Sequence, residues 1–332
     1  MKIPCRSEAA APKAVIRMLD RTILTLENTA GETSTEQGIL AFRCIKDVYL
    51  PYSTLSISLV PQQTNFGTIR RVQLTVRQTT VHDGLADQVK LEQKNGQSFL
   101  TIASRGFTSL LCQNELAKGL IAKVSLDQLM KDYYPFPTQI KWEPNTDTSN
   151  YIYVKENDTM WDGVSNLCFK LNGRYPYIGS TNTIRLNLPV NPTIYPFMNY
   201  TIASVGSTQD FRSLVSQYHM PDADGTEDTF LLQNSKTTDL SIVRNRQIPF
   251  DMQYLRNPAE ALQFRMRYSN RGWKSQFLTF YGFRDGLQLN DQFSYAPLWS
   301  NRFISRMEIT GSRKGIFTKL FAYYDDWNNT DV

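Results

Sequence analysis

Thr54-Leu55-Ser56-Ile57-Ser58-Leu59 is the cleanest alternation in the 332-residue chain. Leu55, Ile57 and Leu59 fall on one side, and Thr54, Ser56 and Ser58 on the other. That period of two marks a half-buried strand. Val72, Leu74 and Val76, alternating with Gln73, Thr75 and Arg77, repeat the pattern. Val89 and Leu91, then Phe99 to Ala103, follow across Lys94-Asn95-Gly96, which predicts a hairpin. Upstream, Ile23, Leu24 and Leu26 and the stretch Gly38 to Lys46 also predict strands. About six strands in the first third of the chain indicate an antiparallel barrel or sandwich.

The period then changes. Phe107, Leu110 and Leu111 fit one helical face. Ser125-Leu126-Asp127-Gln128 has the form of a capping box, with Leu126, Leu129, Met130 and Tyr133 as its stripe and Pro135 and Pro137 as its stop. A strand at Tyr151 to Lys155 leads into Asn157-Asp158-Thr159, a helix start. Trp161, Val164, Leu167, Cys168 and Leu171 then keep helical spacing up to Asn172-Gly173. Short strands are expected at Tyr175 to Ile178 and Thr183 to Leu188. Pro189, Pro192 and Pro196 punctuate a boundary.

Beyond it, Phe211, Leu214, Val215 and Tyr218 predict an amphipathic helix, and Thr229 to Gln233 and Leu240 to Arg244 predict strands. Asn257-Pro258-Ala259-Glu260 is a helix start. Four β runs close the chain: Ser275 to Phe283, Leu287 to Tyr295, Arg302 to Thr310 and Ile316 to Tyr323. The fold class is therefore α+β and β-rich, with β domains at both ends and mixed structure between. The Ala/Pro-rich first 14 residues predict a loose arm.

Composition narrows the function. A charge of +5, from 36 basic and 31 acidic residues, lacks the dense basic patch of a dedicated nucleic-acid binder. No apolar run can span a bilayer, and Met1 to Glu8 lacks the apolar stretch of a signal peptide, so synthesis and retention in the cytoplasm are expected. Cys5, Cys44, Cys112 and Cys168 are too scattered for a zinc site or disulfide framework. Seventeen Tyr, 18 Phe and 5 Trp suit a β-rich protein with large contact surfaces.

Candidate chemistry is thin. Asp222, Asp224 and Asp228 sit close enough for a hard cation, but the Gly spacing departs from a calcium loop, which leaves a solvated acidic loop. Asp325-Asp326, Glu156 with Asp158, and Asp162 could supply paired carboxylates, without any sequence reason to face each other. His82-Asp83-Gly84 predicts a turn and His219 a helix end. Phe264-Arg265-Met266-Arg267-Tyr268 and Arg271-Gly272-Trp273-Lys274 could stack single strands, but a helix with one wet and one packed face explains them better. No nucleophile elbow or phosphate loop occurs. No catalytic, cofactor-binding or metal-ligating residue is therefore assigned, and the chain is expected not to be an enzyme.

Four stretches together resemble baseplate hub proteins of contractile phage tails and of phage-tail-like bacteriocins (tailocins). They are Gly38-Ile39-Leu40-Ala41-Phe42 through Tyr49-Leu50-Pro51-Tyr52-Ser53; Leu100-Thr101-Ile102-Ala103-Ser104-Arg105-Gly106-Phe107; Glu156-Asn157-Asp158-Thr159-Met160-Trp161 through Thr183-Ile184-Arg185-Leu186; and Asn257-Pro258-Ala259-Glu260 through Gly286-Leu287-Gln288-Leu289-Asn290-Asp291-Gln292-Phe293 to the last strands. In the fourth, Asn290 replaces the family's usual Gly, a tolerable change because Asn accepts left-handed turns. The likeness rests on element order more than on fixed residues.

The resemblance implies two tube-like antiparallel β-barrel domains with mixed α/β domains between and inserted. On this basis residues 1–105 form the first barrel domain, 106–190 an α+β domain, and 191–332 the second barrel domain with an insertion at about 208–272. It implies a homotrimer that starts tube assembly and joins the sixfold tail tube protein above to the trimeric spike below. Wedge and tape-measure proteins are further partners, with DNA in the lumen only if the particle is a phage. Assembly would take place in the bacterial cytoplasm, and the product would sit in the baseplate of a released particle. With the chain stopping at Val332, no room is expected for a murein hydrolase domain. The alternatives are a cell-wall glycan-acting or glycan-binding tail protein, and a receptor-binding fibre.

Overall fold

The computed structural model describes residues 21–134 and 139–324. The expected N-terminal arm, Cys5, the Pro135/Pro137 stop and Asp325-Asp326 lie outside the described residues.

Eleven strands build the main sheet. In chain order they are β1 (Thr22–Asn28), β2 (Thr33–Glu36), β3 (Ile39–Asp47), β4 (Thr54–Leu59), β5 (Ile69–Val76), β6 (Thr79–Lys94), β7 (Gln97–Gly106), β8 (Ile202–Gln209), β9 (Lys274–Tyr281), β10 (Arg306–Ser312) and β11 (Gly315–Tyr323). Their spatial order is β8-β9-β11-β10-β3-β4-β7-β6-β5-β1-β2, every neighbour antiparallel. Strands from residues 22–106 and 202–323 are thus hydrogen-bonded into one curled sheet. Its seam is β3 against β10, with Arg306 opposite Asp47 and Gly311 opposite Phe42.

The alternating residues supply the buried face of the sheet. Leu55, Ile57 and Leu59 are buried on one face of β4, and Val72, Leu74 and Val76 on the same face of β5. Each such side chain contributes about 1.5–3 kcal/mol by leaving water. These residues share a single apolar core with Leu278, Phe280, Met307, Ile309 and Leu320 from the far end of the chain. At the hairpin tip Asn95 and Gly96 both take positive φ, 51° and 76°, which the two-residue turn requires.

A second core lies between the two groups of strands, around Leu111, Leu126, Leu129, Val164 and Leu167. It is covered by α1 (Leu126–Tyr133), α2 (Met160–Asn172) and the antiparallel pair Gly119–Val124 and Ser149–Val154. Ser125 Oγ accepts from Gln128 N at 3.2 Å, capping α1. Thr159 and Asp162 form a reciprocal capping box on α2, and Gly173 at φ 61° ends it.

Several sequence expectations are corrected. Residues 211–218 are not a helix: the chain turns and then runs as the strand Gln217–Met220. Arg244 holds that turn by donating to the carbonyls of Phe211, Arg212 and Leu214, so the apolar spacing reflects a cross-linked loop. Leu240 to Arg244 is accordingly a turn, not a strand, and the parallel partner of Gln217–Met220 is Asn245–Gln247. Leu287 to Tyr295 is extended only over Gln292–Tyr295. Before it, the Asp291 carboxylate accepts from Gln288 N and Thr193 N, both at 3.1 Å, and closes a turn. Asn290 takes φ 67° there, in the left-handed region expected for it. The helix α3 (Ala259–Asn270) begins within its start signal, but Pro258 takes the N-cap position without a side-chain cap, and Asn257 instead donates through Nδ2 to Glu260 Oε1 at 3.0 Å.

Candidate assembly surface

The sheet is open, so it has two edges, and they differ. β2 is four residues long, and its Glu36 is buried with Oε2 accepting from Gln62 N at 2.8 Å. A short edge with an inward carboxylate is a protected edge. Among the described residues β8 pairs with β9 on one side only. Its eight residues, Ile202-Ala203-Ser204-Val205-Gly206-Ser207-Thr208-Gln209, carry no charge and no proline, and most are exposed. Such an edge presents a free ladder of N–H and C=O groups.

The segment leading into β8 is unusually apolar for a surface. Val190 is 93% exposed, Met198 68% and Ile194 50%. Isolated exposed apolar residues are ordinary, but three within nine positions of sequence, just ahead of an edge strand, are candidates for a contact surface. Gly206 sits so close to Phe277 that a Cβ would approach the ring to 2.8 Å, which holds β8 flat on its neighbour. Small residues (Ala, Ser, Gly, Thr) blur the apolar alternation of this strand, so its sequence pattern does not reveal it. The absence of charge over Ile194 to Gln209 was the available signal.

The outer half of β6 is a second unpaired stretch. β5 leaves β6 at the Arg71–Leu85 pair, whereas β7 accompanies it to Lys94–Gln97. Val89 and Leu91 are exposed on this projecting hairpin. Arg105 grips Asp87 through two hydrogen bonds, 2.8 and 2.9 Å, and fixes its base.

The residues weighed for chemistry go elsewhere. Asp222 accepts from Asp224 N and Thr226 N at 3.0 and 2.8 Å, and Asp228 accepts at 2.7 Å from His219 Nδ1. His219 lies in a strand, not at a helix end. The acidic loop is thus closed on itself, and among the described residues no group of three or more His, Cys, Asp or Glu is placed to hold a metal ion. Glu156 lies 3.4 Å from Lys118 Nζ, Asp158 takes Lys155 N at 2.8 Å, and Asp162 caps α2. These carboxylates shape a turn and do not flank a cleft. Burial pushes Asp158 up, against the backbone hydrogen bond from Lys155.

His82 is not in a turn. It is fully buried within β6, its ring nitrogens 2.8 Å from Ser53 Oγ and 2.8 Å from Ser104 Oγ. Phe264 and Tyr268 of α3 pack against Phe169, Tyr175 and Tyr49, while Arg265 and Arg267 stay exposed. Arg271 lies 3.7 Å over the Tyr268 ring. The basic-aromatic run is thus a helix with a packed face and a wet face. Among the described residues no helix is long and apolar enough to cross a membrane.

No family model and no curated protein matches the chain. Solved structures do. A tail protein from Neisseria meningitidis MC58 superposes with a TM-score of 0.66 at 13% identity, covering 92% of this chain and 97% of that one. The 43 kDa tail protein of prophage MuSo2 from Shewanella oneidensis gives 0.66 at 14% identity, covering 92% and 99%. A component of the Escherichia coli type VI secretion system, itself similar to tail proteins of bacteriophage T4, gives 0.50 at 8% identity, covering 88% and 74%. At these identities the likeness is one of fold, and the fold is that of phage tail proteins.

Proposed function

We propose that this chain is a structural, non-catalytic component of a phage-tail-like baseplate: a hub that joins the tail tube to the central spike. Three copies form a ring, and each contributes two tube-like units, one from the strands of residues 1–105 and one from those of 191–332. The six units match the sixfold tube and the three chains match the threefold spike. The ring starts tube polymerisation, is built in the bacterial cytoplasm and ends in the baseplate of the released particle. Wedge and tape-measure proteins are its further contacts.

One observation carries this: a tail-protein fold whose sheet, among the described residues, ends in a long, uncharged strand, β8, paired on one side only and preceded in sequence by exposed Val190, Ile194 and Met198. A ring of like units requires a heterologous contact, and an open strand edge can supply one. The test is mass photometry and cryo-electron microscopy of the full chain, alone and with its tube and spike proteins. A trimeric mass and a ring bridging the two partners are expected. A chain that stays monomeric with both partners present overturns the proposal.

A further inference from the structure

Lys46 breaks the pattern of β3. Phe42, Cys44 and Lys46 share the core-facing side of the strand, and Lys46 sits opposite the buried Met307 across the seam. A lysine in an apolar register position is a local violation of the fold's patterning, and such violations concentrate at functional sites.

The side chain borders a cavity of about 90 Å³ where three parts of the chain meet: β3 and β6, the turn at 179–181 and the turn at 286–289. Its walls include Val81, Phe283, Leu287 and Ile309, and among the described residues Lys46 is the one charged residue lining it. The adjacent carboxylate, Asp47, points to the opposite side of the strand, where it takes Tyr49 N at 2.9 Å and the Tyr323 hydroxyl. Among the described residues Lys46 forms no ion pair with a carboxylate, and its electrostatic neighbours are Cys44 and His82. Neither supplies negative charge: burial pushes the Cys44 thiol up to about 11 and the His82 imidazole down to about 3.

A partly buried ammonium with no paired carboxylate is costly. Two events relieve the cost: loss of the proton, which burial favours at Lys46, or entry of an anion. Lys46 keeps partial exposure, so the cavity is reachable from solvent. Its volume exceeds the ~10–15 Å³ that a single water needs, which leaves room for one carboxylate-sized oxyanion.

We propose that the Lys46 cavity is a binding site for a single carboxylate-sized oxyanion. The anion is either free in solution or carried on an acidic side chain that reaches in from a partner. The site is independent of the hub reading and stands or falls separately from it.

The test is thermal unfolding of the full chain titrated with sodium acetate, sodium phosphate and N-acetyl-aspartate amide, each against sodium chloride at equal ionic strength. Saturable stabilisation by acetate is expected in the wild type. Lys46→Met should weaken it about tenfold or more, as expected for loss of a hydrogen bond to a charged group, and Lys46→Arg should retain it. A response to acetate alone identifies a free anion; an equal response to the capped aspartate identifies a side-chain carboxylate. Should Lys46→Met fail to fold, carbon-13 reductive methylation of the wild-type lysines gives the second readout: the Lys46 resonance moves with acetate and not with chloride. An unmoved Lys46 resonance, or equal stabilisation of wild type and Lys46→Met, overturns the proposal.

Discussion

Arg43 of β3 and Glu308 of β10 stand 265 residues apart in sequence and form a bidentate ion pair, Nε–Oε1 2.6 Å and Nη2–Oε2 3.1 Å. They bridge the seam where the first and last groups of strands become one sheet. Burial pushes Glu308 up, but the hydrogen bond and charge of Arg43, with the charges of Arg306 and Lys319, outweigh it and hold the carboxyl below its ordinary value.

Arg43 is half exposed, so its own contribution is small, about 1 kcal/mol or less. Glu308 matters more, because its loss leaves Arg43, Arg306 and Lys319 facing one another. In denaturant unfolding, Glu308→Ala is expected to cost more than Arg43→Ala, with a coupling of about 0.5–1 kcal/mol in the double-mutant cycle. Equal costs for the two single variants would contradict this account of the seam.

His82 gives a pH prediction. Burial, with a smaller push from the Lys46 charge, depresses it to about 3 from an ordinary 6.5. Between those values the unfolded chain binds a proton that the native state refuses. Stability therefore falls as pH drops from 6.5 towards 3, with a slope of at most about 1.4 kcal/mol per pH unit from this group. His82→Asn removes that contribution, and its stability–pH curve should be flatter over this window than that of the wild type. Parallel curves would show that His82 is not the titrating group.

The β8 edge predicts a separation of stability from assembly. Ser207 is exposed on a strand with a free side, so Ser207→Lys should leave the melting of the isolated chain almost unchanged, within about 0.5 kcal/mol. A lysine on an edge blocks pairing with another strand. The same variant should therefore lose the higher-order mass in mass photometry. An unchanged mass distribution places the contact elsewhere on the molecule.

The sequence and the structure agree where one local cause acts. Asn95-Gly96 dictates its turn through two left-handed residues, and Leu55, Ile57 and Leu59 dictate a face, so the first strands were legible. Phe211 to Tyr218 was not, because the spacing that suggests a helix is overruled by Arg244, 26 to 33 positions away, taking the turn's carbonyls. The join of β3 to β10 is non-local pairing that no window of sequence contains. β8 was illegible as a surface for the same reason: which strand is left as an edge depends on the order of all the others.

Gly84 is the sharpest such misreading, because Asp-Gly is a turn dipeptide and yet lies mid-strand. It faces Val72 of β5 and Gly106 of β7. A Cβ on Gly84 would stand 2.1 Å from the Arg105 carbonyl oxygen and 2.8 Å from the Gly106 Cα. Both are backbone atoms, so no side chain can rotate away, and the β6–β7 ladder must open. Glycine is there for close approach and not for a special φ. Gly84→Ala is expected to cost about 3 kcal/mol, the upper end of the usual overpacking range. Gly96→Ala is the comparison: nothing lies within 4 Å of its Cβ, but its φ of +76° is strained for alanine. That strain costs about 1 kcal/mol. Thermal melts of the two variants, with amide exchange across β6 and β7, separate close approach from turn geometry. A Gly84→Ala protein no less stable than Gly96→Ala would mean that the two strands do not approach as closely as described.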